Sequence, residues 1–150
     1  MQVSWTTRSF EALSSLELYQ LLQLRIRIFM LEQECLYEEC DDKDLQAKHL
    51  LGKIDGKVVA YARILPKGIS YSDVSIGRVV VQQEYRHLKL GLELMAQAIK
   101  SAHADYPNET IRISAQAHLQ HFYEKQGFVR ESDSYLEDNI PHIEMALYSN

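Results

Sequence analysis

Residues 74–94 read VSIGRVVVQQEYRHLKLGLEL, and the change of pattern within this stretch decides the fold. The first eight residues, 74–81, are rich in β-branched side chains and predict a central strand, with Gly77 marking a bulge or a close approach. Apolar residues then recur at spacings of three and four, which predicts an amphipathic helix over residues 88–104. A buried strand that leads directly into a long helix is typical of an α/β protein.

The rest of the chain supplies further strands and two more helices around this unit. Apolar alternation and turn residues predict the other strands at residues 2–10, 49–54, 57–65, 110–114, 129–135 and 142–147. Apolar spacing predicts helices at residues 16–28, after a cap at Ser14 or Ser15, and at 119–126, before Gly127. We therefore predict an α/β fold, more closely an α+β arrangement with a mixed sheet, as a single domain over residues 1–150.

Three connecting segments have a composition that suggests their structure. Asp55-Gly56 lies between two apolar runs and predicts a tight hairpin turn, because both residues tolerate positive φ. Residues 137–141 are rich in turn formers and separate the last two predicted strands. Residues 32–44 carry many carboxylates and predict a loop or a short helix.

The composition restricts the classes of protein to which the chain can belong. Its 150 residues, 46% hydrophobic and 25% charged, fit one globular domain, and no window is apolar enough for a membrane span. We expect a cytoplasmic protein. A net charge of −5 argues against nucleic acid as the main partner. Cys35 and Cys40 read as free thiols, and no cluster of side chains at ligand spacing predicts a metal site.

The start of the central helix has the features of an anion site. Free backbone amides at a helix N-terminus and the helix dipole attract phosphate, and Arg86 and Lys89 add positive charge beside Gly91. The residues alone leave two readings open, a pyrophosphate site and a solvated helix start with incidental basic side chains.

Two segments resemble the GNAT acetyltransferase superfamily. Residues 86–91, RHLKLG, resemble its acyl-CoA pyrophosphate loop, Arg/Gln-x-x-Gly-x-Gly/Ala, with Lys89 at the place of the first glycine. Residues 115–128, AQAHLQHFYEKQGF, resemble its segment that ends in Phe-Tyr-x-x-x-Gly-Phe. Further short segments along nearly the whole chain resemble the ElaA-like branch of the superfamily. This resemblance implies that a lysine is tolerated at the loop position of Lys89.

The resemblance implies a fold with splayed central strands and acetyl-CoA as the acyl donor. The pantetheine arm would lie in the gap, where the backbone of Val79 and Val81 pairs with it as a missing strand would. The residues that the resemblance assigns to donor binding are Val79, Val80, Val81, Arg86, His87, Leu88, Lys89, Leu90, Gly91, Leu92, Gln116 and Phe122.

The resemblance also implies direct attack of an amine on the thioester, with no acyl-enzyme. Tyr123 is the expected acid that protonates the thiolate, and the alternative is a tyrosine packed beside Phe122 and Phe128. Glu32 and His142 are the first candidates for the general base, ahead of Glu34 and His118, although each of these four residues also has a purely structural reading.

The acceptor amine would meet residues from several elements. Our candidates for substrate binding are Phe29, Gln33, His49, Arg63, Arg78 and His118. Arg63 and Arg78 lie within apolar strands, where an arginine faces a cleft or pairs with a carboxylate of the acidic loop. That loop, residues 38–44, is either a solvated segment or a mouth that attracts a cationic amine.

The prediction is thus an acyl-CoA-dependent N-acetyltransferase that acts on a primary amine of a small molecule or a peptide. One alternative is a non-catalytic acyl-CoA-binding regulator. A weaker one is an acyl-homoserine-lactone synthase, suggested by the spacing of Arg25, Phe29, Glu32 and Gln33. The resemblance is compatible with a homodimer. We expect neither nucleic acid nor a membrane as a partner.

Overall fold

The fold is built on one mixed sheet, which a computed structural model describes over residues 2–149. The strands follow the order β1-β2-β3-β4-β5-β8-β6, and β7 also pairs with β8. Their bounds are β1 Ser4–Ser9, β2 Lys48–Ile54, β3 Lys57–Leu65, β4 Val74–Val81, β5 Ile111–Gln116, β6 Val129–Arg130, β7 Tyr135–Glu137 and β8 Ile140–Leu147. This arrangement confirms the predicted α/β class with antiparallel strands early and late in the chain.

The hairpin between β2 and β3 is confirmed at the predicted dipeptide. Asp55 and Gly56 have φ angles of 51° and 76°, the left-handed values that a two-residue hairpin turn requires. β1 lies at the sheet edge, and among the described strands it pairs with β2 alone, as an edge strand does.

The first helix, α1 (Ser15–Arg25), begins with a capping box and ends differently from the prediction. The Ser14 hydroxyl accepts a hydrogen bond from the Glu17 amide at 3.0 Å, and the Glu17 carboxylate accepts one from the Ser14 amide at 2.9 Å. The helix was predicted to end at residue 28, but its α-helical part ends at Arg25. A wider, π-helical turn follows over Ile26–Glu32. Such turns often occur at functional sites, and this one brings Phe29 and Glu32 to the cavity described below.

The central strand has its bulge one residue later than the sequence indicates. Arg78, not Gly77, has the positive φ angle, 50°, and the register of β3 with β4 shifts there. The expected helix 88–104 also begins later, because Gln83–Leu88 forms a 3-10 turn and Lys89 is left-handed with φ of 58°. The helix α2 (Leu90–Asp105) follows.

Helices α1 and α2 cover opposite faces of the sheet. Leu21 and Leu24 of α1 pack with β-strand residues such as Leu51 and Tyr61 in one core cluster. Leu94, Met95, Ala98 and Ala102 of α2 belong to a second, larger cluster with the other sheet face. Apolar burial on both faces holds β3, β4 and β5 at the centre of the molecule.

The two parallel strands β4 and β5 separate after a short contact. Within residues 2–149 they pair at Val74 with Ile111 and at Ser75 with Arg112, and at no other position. Over residues 76–81 the edge of β4 that faces β5 therefore carries no strand partner among residues 2–149. This gap confirms the predicted splay of the central strands.

The last third of the chain departs most from the sequence prediction. A 3-10 turn over Ala117–Leu119 and a short helix, α3 (Gln120–Glu124), replace the expected helix 119–126, and Gly127 follows with φ of 100°. The single predicted strand 129–135 is wrong. It divides into β6 and β7, because the Ser132 hydroxyl accepts from the backbone amide of Glu144 and the Arg130 side chain donates to the Ser132 carbonyl.

The final hairpin is tighter than expected. Asp138 and Asn139 turn the chain with φ angles of 52° and 62°, and β8 begins at Ile140, two residues before the predicted start. Within residues 2–149, no helix combines the length and the apolar character that crossing a bilayer requires.

Candidate functional site

The gap between β4 and β5 opens into a cavity of about 820 Å³, large enough for a sizeable ligand. β4 supplies one wall, and β5 with the turns that follow it supplies another. The π-helical turn and the N-terminus of α2 complete it. The cavity thus lies where two strand ends diverge, and its walls carry most of the residues that the sequence singles out.

The structure brings the three predicted catalytic residues and most predicted binding residues together on this cavity. The lining includes the catalytic candidates Tyr123, Glu32 and His142. The predicted donor-binding residues that line it are Val79, Val80, Val81, Arg86, Lys89, Gly91, Leu92, Gln116 and Phe122. The predicted substrate-binding residues that line it are Phe29, Gln33, Arg78 and His118.

Five predicted site residues lie elsewhere. His87 and Leu88 belong to the 3-10 turn and do not line the cavity, and Leu90 is buried in a small core cluster with Ile54. His49 and Arg63 are buried on the sheet, with 0% and 4% of their surface exposed, so neither can meet a ligand in the cavity. A substrate-binding role for these two residues does not fit their positions.

His49 and Arg63 instead belong to a buried polar network that connects the acidic loop, residues 38–44, to the sheet. The Arg63 guanidinium donates to Asp41 at 2.8 Å and to Asp44 at 3.1 Å. The His49 ring contacts the Tyr61 hydroxyl at 2.6 Å and the Asp44 carbonyl at 2.9 Å. The pairing of Arg63 with acidic-loop carboxylates is the alternative that the sequence left open.

Arg25 is the centre of this network, and the sequence analysis missed its role. Its side chain is fully buried and donates to Glu39 at 2.6 and 2.8 Å and to Asp44 at 2.8 and 3.2 Å. Although burial opposes the charged form, these carboxylates outweigh it and raise the pKa of Arg25. Two hydrogen bonds to each carboxylate keep an otherwise costly buried charge satisfied.

Arg78 connects the network to the cavity. Its Nε donates to Glu39 at 3.0 Å, and its guanidinium lies over the Tyr37 ring at 5.5 Å from the centroid. Its Nη1 has no hydrogen-bond partner within residues 2–149, while the side chain lines the cavity. Arg78 therefore pairs with acidic-loop carboxylates and also lines the cavity.

Basic groups gather on the side of the cavity that β4 and α2 form. The first turn of α2 has no side-chain cap, because the left-handed Lys89 stands at the cap position. Arg86 donates from Nε to the Val81 carbonyl at 3.1 Å and forms two hydrogen bonds with the Glu32 carboxylate, at 2.6 and 3.1 Å. We call this bidentate contact the Arg86–Glu32 pair.

Tyr123 lines the cavity from a packed aromatic position. Its ring makes edge-to-face contacts with Phe122 and Phe128, at centroid distances of 5.0 and 5.9 Å, and the residue is 7% exposed. Burial raises the pKa of Tyr123 to about 12, so its hydroxyl stays protonated at neutral pH. Tyr123 is thus packed between aromatic rings and also lines the cavity, and its role as the acid stays a prediction.

On the other side of the cavity, His142 belongs to a set of polar residues from β5, β7 and the last hairpin. Its Nδ1 lies 2.7 Å from the Ile140 carbonyl, and its Nε2 lies 3.4 Å from the Glu137 carboxylate. The sequence analysis missed Glu137, Ser114 and Asp138, which line this side. The sequence did contain a signal for Glu137, because this carboxylate lies in the predicted turn just before the candidate base His142.

Comparison with known proteins agrees with this geometry. A family model described as an acetyltransferase (GNAT) domain matches residues 21–149. The chain belongs to the GNAT family of acyl-CoA-dependent acyltransferases. Within that family it is 40% identical over 146 residues to protein ElaA of Escherichia coli strain K12, and the match covers 96% of this chain and 95% of ElaA.

Two solved structures are similar over almost their whole length. The crystal structure of an acyl-CoA N-acyltransferase from Pseudomonas aeruginosa superimposes with a TM-score of 0.92 at 41% identity, covering 97% of this chain and 99% of that one. Escherichia coli ElaA superimposes with a TM-score of 0.91 at 39% identity, covering 97% and 99%. These matches confirm the predicted family, its ElaA-like branch and the fold class.

Proposed function

We propose that the protein is an N-acetyltransferase that moves an acetyl group from acetyl-CoA to a primary amine by direct attack. The observation that carries the proposal is the gap between β4 and β5. One edge of β4 has no strand partner there, and the cavity in the gap has basic groups on one side and His142 with two carboxylates on the other. A site of this kind suits an anionic, extended donor and a cationic acceptor.

The residues of the β4 side fit the two parts of a CoA ester. The unpaired edge at Val79 and Val81 offers backbone groups to the amides of pantetheine, as a neighbouring strand would. The uncapped N-terminus of α2 and the side chains of Arg86 and Lys89 offer amides and positive charge to the diphosphate. Bound there, the donor supplies an activated thioester carbonyl.

His142 is better arranged as the general base than Glu32. A carbonyl can only accept, so the contact with Ile140 requires the hydrogen on Nδ1. A neutral imidazole then has an unprotonated Nε2, which can take a proton from the amine. Both oxygens of Glu32, by contrast, already accept hydrogen bonds from Arg86.

Tyr123 acts on the leaving sulfur mainly as a hydrogen-bond donor. With a pKa of about 12, its phenol is a weaker acid than an ordinary thiol of pKa ~8.5, so full proton transfer to a free thiolate is uphill. A hydrogen bond to the sulfur as negative charge develops there lowers the barrier without that cost. This refines the role of proton donor that the resemblance implies.

A thiol-release assay tests the proposal. Acetyl-CoA is supplied with a panel of amines, polyamines, amino acids and lysine peptides, and CoA binding is measured separately. We expect amine-dependent release of CoA that falls at least tenfold in Tyr123→Phe, a barrier change of ~1.4 kcal/mol, with CoA binding unchanged. Tyr19→Phe is the matched control, since this tyrosine is 66% exposed on α1.

Each other result has a definite meaning. CoA binding without release on any amine would replace the transferase with a regulator that binds acyl-CoA. Release with S-adenosylmethionine and an acyl donor would favour a homoserine-lactone synthase. Absence of CoA binding would contradict the proposed donor site.

A further inference from the structure

The carboxylate of Glu137 has a different partner on each oxygen. Oε1 accepts a hydrogen bond from the Ser114 hydroxyl at 3.1 Å, and Oε2 lies 3.4 Å from Nε2 of His142. The His142 side chain is 9% exposed and that of Glu137 is 50% exposed. The carboxylate thus reaches from solvent to the one ring nitrogen that the Ile140 contact leaves free.

The hydrogen bonds around Glu137 have a definite direction. The Ser114 hydroxyl has one hydrogen, which it gives to Glu137, so in its 2.6 Å contact with Tyr135 the tyrosine is the donor. Burial raises the pKa of Tyr135, so this phenol stays protonated. Tyr135 and Ser114 together form a chain of donors that ends on Glu137 and fixes its orientation.

The charges on this side of the cavity are negative and lack basic partners. Neither Glu137 nor Asp138 forms an ion pair with a lysine or arginine of residues 2–149, whereas Glu32, Glu39 and Asp41 all do. Five other titratable groups lie near the two carboxylates. They are Tyr135, whose ring stacks on His142 at 6.3 Å, Cys35, whose thiol donates to the Asp138 carbonyl, and Tyr37, Tyr71 and Glu144. The nearby cation Arg78, over the Tyr37 ring, is held by Glu39 and Asp41. This side of the cavity therefore attracts a cation.

We infer that Glu137 and His142 work as a carboxylate–imidazole pair that receives the acceptor as an ammonium ion and removes its proton. The inference rests on the proposed function and adds Glu137 as the residue that supports its general base. The N–H bond of the ammonium breaks and its proton passes to Nε2 of His142, which becomes imidazolium. Glu137 stabilises that positive charge, and the freed lone pair of the amine attacks the thioester carbon. The C–S bond then breaks, the nitrogen gives up its second proton to the thiolate, and CoA leaves as the thiol.

In this pair His142 touches the substrate, and Glu137 is a positioning residue. A general base contributes roughly 10²–10⁴ to the rate, and its partner carries a part of that. Glu137→Gln keeps the size of the side chain and removes its charge. We expect kcat/KM for the best amine to fall about tenfold at neutral pH, mainly through kcat, and the acid limb of the pH–rate profile to move to lower pH.

Two further variants separate this role from a structural one. Glu137→Asp restores the charge and should recover part of the lost rate. Asp133→Asn removes the same charge from an exposed residue of the loop before β7 that does not line the cavity, and it should stay within twofold of the wild type.

A measurement that needs no turnover tests the pair independently. In ¹⁵N-resolved NMR of the imidazole rings, the signal of His142 is identified by its loss in His142→Gln. We expect a neutral ring with its hydrogen on Nδ1, and a titration midpoint that moves to lower pH in Glu137→Gln but not in Asp133→Asn.

The two readouts distinguish the inference from the proposed function. If no amine is acetylated by the wild type but the NMR shifts appear, the proposed function fails and the Glu137–His142 pair stands as a coupled unit. A hydrogen on Nε2 of the neutral ring, or a midpoint that Glu137→Gln does not move, would overturn the pair. So would an active wild type whose kcat/KM is the same in Glu137→Gln.

Discussion

At the scale of single residues, the Arg86–Glu32 pair affects donor binding, because the donor must displace Glu32 from Arg86. Arg86 is the side chain that we assign to the diphosphate, yet Glu32 holds it with two hydrogen bonds. A carboxylate and a phosphate are both recognised by the guanidinium fork, so they compete for it. Part of the donor's binding energy is therefore spent on separating the pair.

Glu32→Gln should consequently tighten the binding of CoA. The pair is partly exposed, at 42% for Arg86 and 33% for Glu32, so it contributes ~0.2–1 kcal/mol, which corresponds to a tightening of about 1.5- to 5-fold. Isothermal calorimetry measures the change, and pantetheine, which lacks the diphosphate, is the matched ligand whose affinity should stay the same. Weaker CoA binding in the variant would contradict the assignment of Arg86.

How far the sequence predicts such residues depends on how local their signals are. Arg86 and Tyr123 stand in short motifs, so their position on the cavity could be foreseen from neighbours within a few residues. Glu137 could not, because its partners Ser114 and His142 come from other strands and meet only in the folded sheet. The partners of Arg25 could not be foreseen either, because Glu39 and Asp44 lie 14 and 19 residues away along the chain.

At the scale of elements, the acidic loop is held in place by buried charges and not by regular structure. Arg25 from the end of α1, Arg63 from β3 and Arg78 from β4 meet Glu39, Asp41 and Asp44 from the loop. Burial opposes ionisation of Asp44, but the hydrogen bonds from Arg25 and the charge of Arg63 outweigh it and lower its pKa. The three cations and three carboxylates form a balanced set.

Removal of one cation from this set should be costly. Arg25→Met leaves Glu39 and Asp44 with fewer partners in a buried place, and breaking a buried pair in this way destabilises by ~3–5 kcal/mol. Urea denaturation followed by circular dichroism measures the free energy of unfolding. Arg27→Met, an exposed arginine two residues on, is the control and should change it by less than ~0.5 kcal/mol. Equal effects of the two variants would show that the network does not stabilise the fold.

The elements also show which parts of the fold are set by short-range chemistry. The Asp55-Gly56 turn was predicted correctly because two adjacent residues determine it. The division of residues 129–135 into β6 and β7 was not predicted, because it depends on a hydrogen bond between Ser132 and the amide of Glu144 on β8. The bulge lies at Arg78, whose side chain pairs with Glu39 from the acidic loop, and not at its neighbour Gly77, so the local sequence pattern places it one residue too early.

At the scale of the whole molecule, the splay of β4 and β5 creates the candidate site. Two residue pairs join these strands, and beyond them the sheet opens into the cavity. Residues of both strands are buried in one core cluster, so the strands that border the gap are part of the packed fold. We propose that this gap binds the acyl-CoA donor.

Hydrogen–deuterium exchange with and without acetyl-CoA tests that claim most directly. We predict that the donor slows exchange in peptides that cover residues 76–81 of β4 and the α2 start at 90–92, because free backbone amides in these segments gain partners. Peptides of the edge strand β1 should not change. Protection confined to other parts of the chain, or none at all at saturating donor, would contradict the account.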